Sequence, residues 1–368
     1  MNRVSAYLFK PLYTHADFLA MRHFGGFDGV RALAALMVVF FHFGGPKAAF
    51  TNGWIGVQLF FVLSGFLITT LLLREERMNG RISLGNFWIR RLFRILPAYY
   101  LVLAVTVLLL VAHGSFDDAG GPQSIWFFVT MNPEFAPTAM NFGQAWTIGI
   151  EQKFYLIWPL LAFVFIGPFL LKRLAAWALL VVGVVACSLL FYQGLIHYAV
   201  ILLGCGLAMV LNSARGFRAV RFVTTRFFAV LALLVLVVLQ IEAGAISVAF
   251  RGQDPTVFIY GIVAALALPG LCAPTPTARV LAWGPFRWLG QRSYSIYLVQ
   301  LIAAGVVGSV FAAAGVGLLM ATLVAIVSAL MADLIFRWVE QPAIQAAKRI
   351  TRRRDPEKLV TAKVAQIG

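Results

Sequence analysis

Apolar residues occur along this chain in long blocks rather than in alternation. Ten stretches are almost free of charge: about 27–44, 53–73, 95–113, 145–167, 174–192, 196–212, 227–243, 256–273, 293–313 and 317–338. A block of about 20 apolar residues is the length an α-helix needs to cross a hydrocarbon layer roughly 30 Å thick. Lipid offers the backbone no hydrogen-bond partners, and the period-two pattern of a membrane β-barrel is absent. The blocks therefore predict an all-α, polytopic integral membrane bundle of about ten transmembrane helices.

The connecting segments predict an orientation. Those after the second, fourth, sixth and eighth blocks carry Arg74, Arg77, Arg81, Arg90, Arg91, Lys172, Arg173, Arg215, Arg218, Arg221, Arg279 and Arg287. The segments between them hold chiefly Asp117, Asp118, Glu134 and Asp254, with Lys47 and Arg251 as the main cations. Because Lys and Arg accumulate in cytoplasmic loops, both termini are expected in the cytoplasm. Residues 1–26 then form a cytoplasmic lead-in lying partly on the membrane surface, 27–343 the membrane domain, and 344–368 a basic, disordered cytoplasmic tail. The longest outer loop, about 114–144, carries the apolar patch Trp126-Phe127-Phe128, read as a re-entrant or interfacial segment.

Composition agrees. At 61% hydrophobic and 12% charged residues, the chain lies far from a soluble globular domain. The net charge of +16 suggests nucleic acid at first sight, but its concentration in alternate loops assigns it to the membrane surface, and no nucleic-acid partner is expected. Cys187, Cys205 and Cys272 sit inside apolar blocks without CxxC spacing, so neither a disulfide nor a metal site is expected.

Polar residues inside the blocks carry the chemistry, because each charge there requires a protein or water environment. Arg31 and His42 are eleven positions apart in the first block, which places them on one helix face, roughly 16 Å apart along the axis. Arg31 also reads as a snorkelling interfacial anchor and His42 as a helix-end histidine. Glu151 is expected near the depth of His42, where a carboxylate would orient the imidazole and raise its basicity for general-base work. A rim pair of Glu151 with Lys153 is disfavoured, since i and i+2 diverge on a helix. Arg90, Arg91 and Arg94 form a cluster that reads either as a topogenic contact to anionic lipid or as a polyphosphate site. Ser64 lacks the strand–turn–helix context of a nucleophile, and Gly204-Cys205-Gly206 reads as close helix packing.

The ordered motifs resemble the membrane-bound acyltransferase-3 family of bacterial sugar and polysaccharide O-acyltransferases. The matching stretches are Asp28 to Ala35 with His42, Val57 to Phe66, Arg90 to Tyr99, Trp146 to Tyr155 with Pro159, Leu289 to Leu298, and Glu340-Gln341-Pro342. The resemblance implies Arg31 and His42 as the essential pair, Glu151 as an acidic partner, and Arg90, Arg91 and Arg94 as the arginine motif. Gln300, Gln58, Gln152 and His197 depart from the family's usual residues.

It further implies an acyl-CoA donor, most simply acetyl-CoA, docked on the cytoplasmic arginines, with Arg31 holding it or balancing its charge. The acceptor would be a hydroxyl of an extracytoplasmic glycan or glycolipid, with Trp146, Tyr155 and Gln58 touching substrate. The expected location is the bacterial inner membrane, among lipids. No fused esterase-like domain follows the last block, so acceptor hand-off is expected within the membrane part or with a partner. A transporter or flippase for a lipid-linked glycan is the rival class; the absence of an inverted repeat weighs against it.

Overall fold

The computed structural model describes residues 7–311 and 317–353. Among these, ten helices are long and apolar enough to cross a membrane, and no strand is present beyond an isolated bridge between Pro11 and Thr225. The long helices are α1 (Gly25–Phe43), α2 (Val57–Asn79), α3 (Leu84–Ala112), α4 (Trp146–Pro159), α5 (Leu170–Leu190), α6 (Ile196–Asn212), α7 (Arg226–Ala249), α8 (Gln253–Cys272), α9 (Gly284–Val310) and α10 (Leu318–Ile335), followed by α11 (Gln341–Arg353). The protein is a polytopic membrane helical bundle. Every apolar block of the sequence corresponds to one long helix.

The helices extend beyond the blocks that announce them. α3 begins at Leu84 rather than 95, and α9 at Gly284 rather than 293. Apolarity marks where a helix meets lipid, whereas arginine-rich sequence remains helical beyond it because Arg is itself a good helix former. Arg90, Arg91 and Arg94 therefore stand on a helix, not in a loop. The end expected for the ninth block, 312–313, lies outside the described residues.

Position in the bundle differs sharply between helices. Protein covers 83% of the apolar stretch of α2 but only 11% of that of α5 and 17% of that of α7. α2 is the central post; α5 and α7 face outward. Tight packing around α2 depends on small residues, as expected where lipid removes the hydrophobic drive between helices. A methyl at Gly204 of α6 would stand 2.8 Å from the Phe66 nitrogen, and one at Gly65 of α2 3.0 Å from the Ile201 carbonyl carbon. The two backbones touch there. α1 meets α9 in the same way at Gly290, where a methyl would lie 2.5 Å from the Asp28 carbonyl carbon and closer still to its oxygen.

Charged side chains join the helices on the arginine-rich face. Arg173 donates two hydrogen bonds to Glu76, 2.8 and 2.7 Å long, and Arg292 and Arg337 both pair with Asp333. The lead-in packs against the bundle on this face. Its short helix His15–Ala20 is capped by Thr14, whose N–H and hydroxyl both donate to Asp17 and hold that carboxyl below the usual carboxylate range. Phe18 is fully buried, and Arg74 of α2 donates to the Met21 and Phe18 carbonyls. Residues 1–6 lie outside the described part.

The tail also differs from expectation. Its stretch 344–353, expected to be disordered, belongs to α11, which packs against α3 with Ala347 buried; residues 354–368 lie outside the described part. A π-turn, Phe336–Glu340, joins α10 to α11 just before Pro342, whose missing N–H leaves the regular ladder incomplete. On the opposite face, Trp126-Phe127-Phe128 falls in a nine-residue helix, Gly121–Val129. The Tyr99 and Tyr100 hydroxyls donate to the carbonyls of Phe128 and Val129, which fixes that helix onto α3.

Candidate active site

Five helices surround a central cavity of ≈ 210 Å³: α1, α2, α3, α4 and α9. Helical periodicity places its lining. On α2 the stripe Val57, Phe60, Phe61, Ser64, Leu67, Ile68 and Leu71 faces it, and on α9 Gly290, Ser293, Tyr294 and Tyr297 do, in steps of three and four. α1 contributes Arg31, α3 Arg91 and Arg94, and α4 Glu151 and Tyr155. Three guanidinium groups thus face one carboxylate. Such an excess of positive charge in an enclosed space favours an anion, and the planar fork of Arg suits phosphate oxygens.

The carboxylate is held from two sides. Ser64 Oγ donates to Glu151 Oε1 at 2.6 Å, and the Tyr155 hydroxyl to Oε2 at 3.1 Å. Tyr155 lies four residues after Glu151, one turn along the same face. Pro159, four residues further on, has no N–H for the Tyr155 carbonyl; Trp88 Nε1 of α3 donates to that carbonyl instead, at 3.2 Å. The guanidinium of Arg91 lies 5.7 Å over the Tyr155 ring, and Arg31 pairs with Asp28 at 3.7 Å.

Two further pockets adjoin the cavity on the arginine-rich face. One, ≈ 370 Å³, shares Leu71, Arg91 and Arg94 with it and adds Glu75, Arg90 and Lys348. The other, ≈ 90 Å³, shares Arg31, Leu67 and Leu71 and adds Arg22, His23, Asp28 and Arg74. Arg90 pairs with Glu75 at 3.5 Å; Arg91, Arg94 and Lys348, the other cations of the larger pocket, make no close ion pair among the described residues.

His42 lies at the other end, in the last turn of α1, exposed and outside the cavity lining. Its Nδ1 is 3.2 Å from Gln300 Oε1. Gln300 Nε2 donates in turn to the Tyr297 carbonyl, which fixes the amide orientation, since a flipped amide would set oxygen against oxygen. The amide oxygen only accepts, so Nδ1 carries a hydrogen, and in the neutral ring Nε2 is then the nitrogen with the lone pair. That is the tautomer a general base requires. Gln300 is one turn beyond Tyr297, at the far end of the cavity's α9 stripe. Arg31 and His42 thus both face α9.

The structure separates residues that were expected together. Glu151 was expected to assist His42, but it bonds Ser64 and Tyr155 while His42 bonds Gln300. Glu151 is five residues into α4, about 7 Å below its start, the one to two turns that its sequence position implies; the partnership with His42, at the end of α1, is what the structure lacks. Trp146 and Gln58 are also apart from the cavity: the Trp146 ring lies tilted, 4.6 Å from that of His197, whose Nδ1 contacts Gln58 Oε1 at 3.2 Å. Lys153 bonds Glu134 at 2.6 Å, not Glu151. Ser64, Tyr294, Tyr297 and Lys348 were missed. The first lay in a helix where only a nucleophile elbow had been sought, and the last in an expected disordered tail. Among the described residues, no three His, Cys, Asp or Glu side chains converge as a metal site requires.

Residues 24–337 match the model of a family described as an acyltransferase domain. The chain is 32% identical over 314 residues to the Bacillus subtilis protein named "Putative peptidoglycan O-acetyltransferase YrhL", covering 75% of this chain and 48% of that relative. It is 28% identical over 349 residues to Peptidoglycan O-acetyltransferase OatA of Listeria monocytogenes, covering 86% of this chain and 55% of the relative. The chain spans about half the length of these curated relatives. No solved structure matches it at a significant level.

Proposed function

Because the chain belongs to the acyltransferase domain family, we propose that it is a membrane O-acyltransferase that moves an acetyl group from acetyl-CoA to a glycan or glycolipid hydroxyl. The arginine-rich face is cytoplasmic on the positive-inside rule, with both termini on that side, and the membrane is the bacterial inner membrane. The names of the relatives, both peptidoglycan O-acetyltransferases, support a glycan acceptor. One observation carries the reading: a cavity with three guanidinium groups runs from the arginine-rich face to within one α9 turn of the His42–Gln300 pair.

The phosphates of the donor would rest on Arg91, Arg94 and Lys348, with Arg90 beside them and Arg31 deeper along the path. The acyl-bearing arm would follow the cavity between α2 and α9. His42 Nε2 would take the proton of the acceptor hydroxyl as its oxygen attacks the thioester carbonyl; the C–S bond breaks, and the imidazolium proton goes to the departing thiolate. Glu151, bonded to Ser64 and Tyr155 and not to the imidazole, serves instead to offset Arg31 and Arg91, so that the donor meets a polarised but not over-charged passage.

His42→Ala should abolish acetylation while acetyl-CoA still binds, measured as label transfer and donor affinity on the purified protein. Full transfer activity in that variant would refute the assignment.

A further inference from the structure

A separate pocket, ≈ 240 Å³, lies on the face opposite the arginines, between the turn Pro133–Phe135 and the starts of α4 and α6. Phe135, Trp146, Tyr192, His197 and Tyr198 wall it, with Glu134 among them. Its walls are mostly aromatic and imidazole rings and hold no arginine, so it suits a flat-faced neutral ring rather than a polyphosphate.

Its polar groups are specific about what they accept. The Glu134 side chain is only 7% exposed. Its Oε1 accepts from Lys153 Nζ at 2.6 Å and from the Tyr198 hydroxyl at 3.2 Å. Oε2 has no hydrogen-bond partner among the described residues, an arrangement that is costly for a buried carboxylate and uncommon. It lies against Gly149, where any larger residue would displace it. The three N–H bonds of Lys153 are already used, on Glu134 and on the carbonyls of Met131 and Gly149. The pair is neutral overall, and the cation has nothing left for an anion. The remaining capacity is for hydrogen-bond donors: Glu134 Oε2, after a small rotation of the carboxylate, and the Tyr198 oxygen.

Hydroxyl donors on a flat apolar ring face describe a neutral sugar, and the walls suit one. Phe135 and Tyr192 are 50% and 47% exposed, with ring centroids 6.3 Å apart, which leaves aromatic faces open to C–H stacking. The pocket also adjoins the donor cavity. Trp146 lines it while the next residue, Thr147, lines the cavity. Phe61 forms the wall between them, its ring 5.9 Å from Trp146 and 5.7 Å from His197.

We propose that this pocket binds one neutral sugar ring of the acceptor glycan, by aromatic stacking and by hydroxyl donation to Glu134. The inference rests on the transferase reading and assigns its acceptor subsite. The test uses the full-length protein in detergent, with a β-1,4-linked N-acetylglucosamine tetramer as probe and inorganic phosphate as control. Binding is read by calorimetry, and transfer as the acceptor KM with labelled acetyl-CoA.

The wild type should bind the tetramer equally well with and without saturating phosphate, which the arginine cavity rather than this pocket would take up. Tyr192→Ala and Phe135→Ala, both at exposed walls, should each weaken tetramer binding and raise the acceptor KM about tenfold, with acetyl-CoA affinity unchanged. Glu134→Gln should weaken it further; should that variant fail to fold, the two wall variants decide. Wild-type protein that binds no tetramer, or wall variants with wild-type affinity and KM, would overturn the subsite. Tetramer binding lost in the wall variants, in a protein that transfers no acetyl group, would leave the subsite standing and refute the transferase reading instead.

Discussion

Gly290→Ala puts the contact between α1 and α9 under direct strain. The added methyl would stand 2.5 Å from the carbonyl carbon of Asp28 and 2.9 Å from its Cα, nearer still to the oxygen, where real methyl carbons keep at least 3.0 Å away. The obstacle is backbone, which no rotamer change relieves, so the two helices must part by about 1 Å. Overpacking of this kind costs ~1–3 kcal/mol, which lowers the melting temperature without preventing folding. The functional loss should be larger. Arg31 is one turn from Asp28 and pairs with it, and Gln300 of α9 positions His42, so separating α1 from α9 shifts both ends of the site at once. A misplacement of about 1 Å can cost on the order of 100-fold in rate. The assay is acetyl transfer by purified protein, alongside a thermal melt in the same detergent. Wild-type rate and melting temperature together would show that the close approach at Gly290 does not set the site, and the reasoning would fail.

Two further substitutions probe the cavity itself. Arg94→Glu should reduce acetyl-CoA affinity at least tenfold in a direct binding measurement; an unchanged affinity would count against donor docking on the arginine face. Ser64→Ala removes the 2.6 Å bond to Glu151, and since a hydrogen bond to a charged group contributes ~1.5–3 kcal/mol, the transfer rate should drop roughly 10- to 100-fold. No change in rate would mean that the Glu151 carboxylate needs no anchoring.

The bundle was legible because lipid makes a simple demand: twenty apolar residues and no unpaired backbone. Each block became a helix for that reason. The arginine cavity was partly legible, since Arg31, Arg91, Arg94 and Glu151 stand out as charges within or beside apolar sequence. What could not be read was azimuth across helices. Spacing places Arg31 and His42 on one side of α1 but says nothing of which helix faces them, so Gln300 looked like a mere departure from the motif. Depth alone misled at Glu151: the start of α4 falls within a residue of the apolar block, but similar depth on two helices does not make their side chains partners, and Glu151 bonds Ser64 and Tyr155 instead of His42. Ser64 is a small hydroxyl on an apolar helix, silent until Glu151 of another helix is brought within 2.6 Å. Lys348 was hidden by composition: a basic stretch resembles a solvated tail unless its apolar stripe, with Ile344 and Ala347, is seen to close on α3.

Transfer across the bilayer is the central claim, and sealed vesicles test it most directly. Protein is reconstituted in one orientation, with labelled acetyl-CoA only on the arginine-rich side and a glycan acceptor only on the other. The account predicts labelled acetyl groups on the acceptor in the opposite compartment. Acetylation only when donor and acceptor share a compartment would contradict it.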